Sequence, residues 1–337
     1  MEQILINEFG INPKEVVKII GYDNLNYLIK TSSVNYILKT YDDLSLIDLI
    51  VAETKALLFL NNELYPKPIS FLNGEKVRII EINGTSKICR VLSYLDGKFL
   101  GEINPTKESI KSFGKSLARL NKTLFNWTDV HIKSRELEWD MQQYRISKSY
   151  LNEISSKKAQ KIIHYYMNQY EENVVPYFNV LRKSIIHNDA NNWNILFKGN
   201  NVSGIIDFGD ISYSHLINEL AIAISYTCFN KEKPLEWALV LLESYNKILS
   251  LELKEVEVLY YSVAMRLSMS ISISNHYQKL YSDNKYISIS QKSAIDLLWK
   301  WIKINPIEAE NKFKSVLGMK IEKTKSIKEM IKGRKNF

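Results

Sequence analysis

Two acids and an amide are the residues of this chain best placed to do chemistry. They lie in IIHNDANNWNILFKGNNVSGIIDFGDISYSHLINELAIAISY, from Ile185 to Tyr226, where Asp189 is followed five residues later by Asn194 and thirteen beyond that by Asp207. A carboxylate can take the proton of an attacking hydroxyl, while an amide oxygen and a second carboxylate can hold the magnesium that neutralises phosphate charge. The set therefore suits phosphoryl transfer from a nucleotide. Any one of these residues alone would more often cap or brace a loop. The order H-x-D-x-x-x-x-N, then a hairpin, then I-D-F-G is what points to catalysis. His187 reads as a buried brace, since two ring nitrogens can tie backbone on both sides.

The elements that must position these groups follow from the residues around them. Ile195 to Phe197 and Val202 to Ile206 are short runs of β-formers, and Lys198-Gly199-Asn200-Asn201 between them is turn chemistry. A hairpin there carries Asn194 at its start and Asp207 at its end, so the two candidate metal ligands meet in space. Asp189 sits on the preceding loop.

The segment resembles the kinase-like phosphotransferases of small molecules, the aminoglycoside phosphotransferase, choline kinase and homoserine kinase superfamily. It is most similar to the hydroxylysine kinase group, which also occurs fused to class III aminotransferases. HNDANNWNIL, VSGIIDFGDISYS, ELAIAISY and RLSMSISISNHYQKLYSDNKYISIS, the last from Arg266 to Ser290, carry the likeness. One departure is Asn188, where the family usually has glycine; Asn tolerates the left-handed backbone best among residues with a side chain. The resemblance implies an α+β, two-lobed protein-kinase-like fold, with a small antiparallel β lobe bearing one helix and a larger helical lobe bearing the catalytic hairpin. The expected division is a nucleotide-clamp lobe over 1–95, a catalytic and substrate lobe over 96–318, and a basic tail over 319–337.

In the N-terminal third, Val17 to Ile20, Tyr27 to Thr31 and Asn35 to Thr40 read as a meander of strands. One glycine is a weak phosphate-loop signal by itself. The resemblance makes G-Y-D-N-L-N-Y that loop, with backbone amides near Gly21 and the side chain of Asn24 or Asn26 meeting phosphates. Lys39 at a strand end matches the lysine that holds the α- and β-phosphates. Ser45 to Asn61 has apolar residues at helical spacing with Glu53 among them, and a buried acid needs a partner, so a Lys39–Glu53 ion pair is expected. Val77 to Ile82 and Lys87 to Leu95 read as strands. By resemblance the second ends in a hinge where Ser93, Tyr94 and Leu95 meet the purine of ATP or GTP through backbone groups.

Beyond Thr106, a helix cap, the pattern is helical apart from the hairpin. Helices are expected over about Arg135 to Leu151, Lys157 to Leu181, His215 to Cys228, Pro234 to Ile248, Lys254 to Tyr277 and Gln291 to Ile304. Asp210 either faces the acceptor and pairs with its ammonium or bonds its own turn. Trp139, Asp140 and Arg266 resemble family positions near the acceptor. Arg266 either meets a substrate carboxylate or ties two helices together. Glu219 is expected to brace the catalytic loop.

Composition bounds the rest. With 337 residues, 45% hydrophobic and 24% charged, the chain is long enough for one large or two medium domains. No leader-like or membrane-length apolar run is present, and two cysteines, Cys89 and Cys228, fit a reducing compartment, so a cytoplasmic protein is expected. The net charge of +8 is spread along the chain except in Lys320 to Lys335, which has seven basic and two acidic residues. Without a reading motif this suits a solvated tail, and no nucleic acid or membrane partner is expected. The expected activity is Mg2+-dependent transfer of a γ-phosphate from ATP or GTP to a small hydroxylated amine or amino acid, hydroxylysine- or homoserine-like, by a monomer or homodimer. An antibiotic phosphotransferase and a nucleotide-binding pseudokinase are the alternatives, the latter disfavoured because Lys39, Glu53, Asp189, Asn194 and Asp207 are all present.

Overall fold

The computed structural model describes residues 1–19, 25–280 and 291–321. Gly21, Asn24 and nearly all of the basic tail fall outside them. The first part runs α1 (Glu2–Phe9), β1 (Glu15–Ile19), β2 (Leu25–Lys30), β3 (Asn35–Tyr41), α2 (Ile47–Leu60), β4 (Pro68–Ile69), β5 (Arg78–Ile82) and β6 (Thr85–Ser93). These strands form an antiparallel six-stranded sheet in the order β1-β2-β3-β6-β4, with β5 also paired to β6.

Alternation along β3 and β6 gives the sheet two different faces. Leu38 and Val91 pair on one face and pack with Ile29 and Cys89 under Leu5 and Phe9 of α1. On the other face Tyr41 and Ile88 pack against Ile50 of α2, and Lys39 and Arg90 are direct cross-strand neighbours. Helix α1 ends on Gly10 in a left-handed conformation (φ 66°), whose N–H closes the last turn.

The remainder runs β7 (Lys98–Phe99), α3 (Lys107–Leu124), α4 (Val130–Lys133), α5 (Tyr144–Ser149), α6 (Lys157–Asn173), β8 (Lys183–Ile186), β9 (Ile195–Lys198), β10 (Asn201–Ile205), β11 (Ser212–His215), α7 (Leu216–Thr227), α8 (Pro234–Asn246), α9 (Leu253–Leu280), α10 (Gln291–Trp301) and α11 (Pro306–Val316). Helix α3 starts in a capping box between Thr106 and Ser109 and buries Ile110, Phe113, Leu117, Leu120 and Leu124, each worth about 1.5–3 kcal/mol. Gly114 lets α3 meet α8 closely, because a Cβ there would lie 2.6 Å from the Leu241 carbonyl oxygen. Helix α9 is buried almost continuously from Val256 to Ser274 and forms the axis against which α6, α7, α10 and α11 pack.

Two small strand pairs hold the loops of interest. The expected hairpin is β9 and β10, tighter than a four-residue turn: Lys198 and Asn201 already pair, leaving Gly199 (φ 60°) and Asn200 to turn the chain. The second pair was not expected. Ile186, the last residue of β8, pairs with Ser212, the first of β11. The loop leaving β8 and the loop entering β11 therefore run side by side.

Three helical expectations are corrected. Residues 135–151 form no single helix; Asp140 caps a 3-10 turn at Met141–Gln143 and only Tyr144–Ser149 is α-helical. Helix α6 stops at Asn173 instead of reaching Leu181, because Pro176 restricts the residue before it and lacks an N–H. Helix α11 was missed although Asn305 caps it and Pro306 sits at its first position, both legible start signals. Cys89 and Cys228 are buried free thiols, and burial raises both, Cys89 to about 12.

Burial also lowers two imidazoles, His187 and His215, each to about 4. Both are neutral in the folded chain near pH 7 but gain a proton near pH 6.5 when unfolded. The unfolded state thus binds more protons below pH 6.5. Stability is expected to fall as pH drops from 6.5 to 4, by about 1.4 kcal/mol per pH unit for each fully buried ring. Urea midpoints measured across that range should fall less steeply in His215→Gln; an unchanged slope would show that this ring titrates normally.

Candidate functional site

The side-by-side loops bring the catalytic candidates together. Asn188 turns the first loop with φ 65°, as expected of the residue standing in for glycine, and Asp207 turns the second with φ 63°. Glu219, fully buried at the start of α7, accepts the backbone N–H of His187 at 2.6 Å and of Asn188 at 3.2 Å. Burial raises its carboxyl to about 7 against the pull of those N–H groups. His187 Nε2 donates to the Ile206 carbonyl at 2.9 Å, and its Nδ1 accepts the Asp189 N–H at 3.2 Å. One ring therefore spans both loops, which fixes the tautomer.

Asp189 is gripped on both oxygens. Oδ1 lies 2.9 Å from Arg266 Nη2, while Oδ2 accepts from Asn191 Nδ2 at 2.8 Å and Asn194 Nδ2 at 2.7 Å. Asn194 also donates to the Asp189 carbonyl, so its amide hydrogens are used and its Oδ1 is the atom left for a ligand. Burial, then the nearby Asp210, raises the Asp189 carboxyl; Arg266 opposes the shift. Asp210 is raised in the same way, its burial outweighing Arg135. Its carboxylate accepts no hydrogen bond among the described residues, so the reading in which it bonds its own turn is not realised here.

Across the cleft, Lys39 Nζ on β3 lies 2.7 Å from Asp207 Oδ1. The lysine charge holds the Asp207 carboxyl at about 2. Burial alone would lower Lys39, and Asp207 and Tyr41 together more than offset it, so the ammonium lies above its ordinary value. Half of the Asp207 side chain remains exposed, leaving Oδ2 accessible. Asn194 Oδ1 and Asp207 are hard oxygen donors, a set that suits magnesium with phosphate and water completing the shell. Among the described residues no cluster of three acids, histidines or cysteines competes for such an ion.

The expected Lys39–Glu53 pair is not formed. Glu53 instead meets Arg90 Nη2 at 2.6 Å, and Arg90 also donates to Tyr41 Oη at 2.8 Å and Thr54 Oγ1 at 3.2 Å. The register explains it: Arg90 stands beside Lys39 on the same face, and its fork satisfies several acceptors at once, whereas the lysine is drawn to Asp207. Arg135, absent from the sequence reading, lies 3.9 Å from Glu53 and donates to the carbonyls of Gly209 and Ile211 at 2.7 and 3.0 Å. It thus joins α2 to the loop after Asp207. The one legible signal was a charge at position 90 within the apolar run Ile88 to Leu92.

Other candidates change place. Arg266 is 98% buried at its side chain, with Nη1 on the Trp139 carbonyl at 3.1 Å and its guanidinium against the Trp139 and Tyr226 rings. It holds Asp189 and is closed to a second, bidentate carboxylate. Asp140 is also engaged, accepting from Ser214 Oγ at 2.6 Å and from the Gln142 N–H at 2.9 Å; burial raises it. Asn26 pairs with Lys39 across β2 and β3 and has a buried, unpartnered Oδ1. At the hinge, the N–H groups of Ser93 and Tyr94 are bound to the carbonyls of Lys67 and Asn35, so only their carbonyls and the backbone of Leu95 remain for a base.

A family model described as "Phosphotransferase enzyme family" matches residues 18–254. A hydroxylysine kinase of Xenopus laevis is 28% identical over 327 residues, covering 88% of this chain and 86% of that protein. Among solved structures, an amicoumacin kinase in complex with AMP-PNP and Ca2+ is similar with a TM-score of 0.66 at 15% identity, covering 90% of this chain and 93% of that one. A microcompartment-associated aminopropanol kinase is similar with a TM-score of 0.62 at 16% identity, covering 94% and 97%. The two-lobed α+β, protein-kinase-like fold is the one these proteins share.

The buried pair at Glu53 can be tested without substrate. Arg90→Met leaves Glu53 with only the more distant Arg135 as a partner and is expected to cost about 3–5 kcal/mol in urea denaturation. Adding Glu53→Leu should recover most of that loss. A double variant as unstable as the single one would show that packing, and not charge pairing, dominates there.

Proposed function

Given that the chain belongs to the phosphotransferase enzyme family, we propose that it is a Mg2+-dependent kinase that transfers the γ-phosphate of ATP or GTP to a hydroxyl of a small amine or amino acid of the hydroxylysine or homoserine kind. The observation that carries this reading is the convergence of Asp189, Asn194, Asp207 and Lys39 at the mouth of two loops held side by side. The likeness to a hydroxylysine kinase supports the acceptor class. Asp210 supports an amine: a half-buried carboxylate near Asp189 with no hydrogen-bond partner among the described residues gains most from an ammonium.

In this mechanism Asp189 orients and deprotonates the acceptor hydroxyl. Arg266, Asn191 and Asn194 keep its carboxylate in one rotamer. Asn194 Oδ1 and Asp207 would hold magnesium, which when bound neutralises phosphate charge. Lys39 meets the phosphates with Asn26, its cross-strand neighbour; Gly21 and Asn24, assigned the same role, lie outside the described residues. Glu53 acts at one remove, through Arg90 and Arg135, on the shape of the cleft. Ser93, Tyr94 and Leu95 offer carbonyls and one N–H to the purine. Trp139 and Asp140, tied to Arg266 and Ser214, would shape the acceptor pocket, and Glu219 and His187 hold the loop. No helix among the described residues is long and apolar enough to cross a membrane. A cytoplasmic monomer or homodimer with a nucleotide and a small acceptor as its partners fits the reading.

The direct experiment is a coupled assay of nucleoside diphosphate release, with ATP and GTP in parallel, over hydroxylysine, homoserine, ethanolamine, choline and aminoglycosides. Turnover with a small amino alcohol or amino acid is expected; turnover with aminoglycosides alone would favour an antibiotic phosphotransferase. Asp189→Asn should lower kcat by about 10²–10⁴ while nucleotide still binds. Asp207→Ala should abolish the magnesium dependence of nucleotide binding, which calorimetry reads directly.

A further inference from the structure

Behind the catalytic loop lies a cavity that none of these roles uses. Its volume is about 370 Å³, within the range of small-molecule sites, and its walls include Gly101, Asn192, Trp193, Tyr226, Thr227 and Lys231. Its lining includes two residues of the catalytic loop. Asn192 and Trp193 lie between Asp189 and Asn194 in the chain, and Tyr226 touches Arg266, which holds Asp189.

Three observations describe what the cavity would accept. First, Asn192 Oδ1 and Trp193 Nε1 are both buried without a hydrogen-bond partner, although buried polar atoms normally have one. Second, the approach is built: the Gly101 N–H donates to the Asn192 carbonyl at 2.9 Å, and a Cβ on Gly101 would lie 2.8 Å from Asn192 Nδ2 and 3.2 Å from the Trp193 ring. Third, the charged side chain of the lining is Lys231. Among the described lining residues none is acidic.

Lys231 makes no ion pair among the described residues; its ammonium lies 4.1 Å from the Trp237 ring centroid. Burial pulls it below its ordinary value, a cost that an anion beside it would reverse. A cavity with one cation free of ion pairs, an unpartnered indole N–H and no acid among its described lining residues suits a carboxylate, while Asn192 Oδ1, an acceptor, would take a donor beside it.

We propose that this cavity is the subsite for the carboxylate of an amino-acid acceptor and that Lys231 is its specificity residue. The inference rests on the kinase reading above and narrows its acceptor from small amines and amino acids to α-amino acids bearing a hydroxyl.

The test uses matched acceptors that differ only in the carboxylate: homoserine against 3-aminopropanol, and 5-hydroxylysine against 1,5-diaminopentan-2-ol. The wild-type chain should prefer the carboxylated member of the better pair. Lys231→Met should raise KM for that member by about 10–100-fold, leaving KM for its decarboxylated counterpart and for the nucleotide nearly unchanged, and Lys231→Arg should restore most of the difference. Equal effects on both members, or none on either, would overturn the proposal. Turnover with decarboxylated acceptors alone would also overturn it while leaving the kinase reading intact. If no acceptor turns over, calorimetry with AMP-PNP present still decides: binding of the amino acid that Lys231→Met abolishes sustains the subsite, and its absence from the wild-type chain removes it.

Discussion

Charge that has left water must be met by charge or by N–H groups, and the centre of this molecule is arranged around that requirement. Glu53 is met by Arg90, Asp189 by Arg266, Asp207, itself half exposed, by Lys39, and Glu219 by two backbone N–H groups. Each partner comes from a different element: a neighbouring strand, a long central helix, the sheet across the cleft, and the loop itself. Satisfying the charges therefore fixes the relative positions of the elements. Asp210 is the exception, an acid with no hydrogen bond, and an exception in such a scheme is where an outside cation gains most.

The positions of the reacting groups follow from two short strand pairs more than from any helix. The pairing of Ile186 with Ser212 sets the separation of the two loops, and the β9–β10 hairpin sets Asn194 against the carbonyl and carboxylate of Asp189. Helix α7 begins directly after β11 and returns Glu219 to the loop that follows β8. The result is a closed circuit of backbone hydrogen bonds around His187, which explains why a residue with no part in the chemistry stands in the middle of it.

Much of this was legible in the sequence because it is local. The hairpin, the sheet meander, the helix capped by Thr106 and the catalytic set are written in runs of fewer than thirty residues, where spacing and turn chemistry decide. What was missed is non-local. Arg90 displaced Lys39 as the partner of Glu53 because a strand register placed two cations side by side, and periodicity within one strand does not reveal register. Of the two readings of Arg266, tying elements together is the one the contacts support, because a helix buried on all sides has no outward face to give it. The 135–151 segment looked helical by its apolar spacing, and Asp140 overrode it by bonding Ser214 from a distant strand. Tertiary hydrogen bonds won over propensity in each case.

Asn188 leaves a mark of its own. Its backbone is left-handed, its side chain is fully buried, and neither amide atom finds a partner. Each such group costs about 1–3 kcal/mol, more than the roughly 0.5–1 kcal/mol of chain entropy that a glycine would lose. The loop is thus held in shape by its surroundings despite this residue. A single exchange to glycine is an open route to a more heat-tolerant protein whose catalytic geometry is untouched.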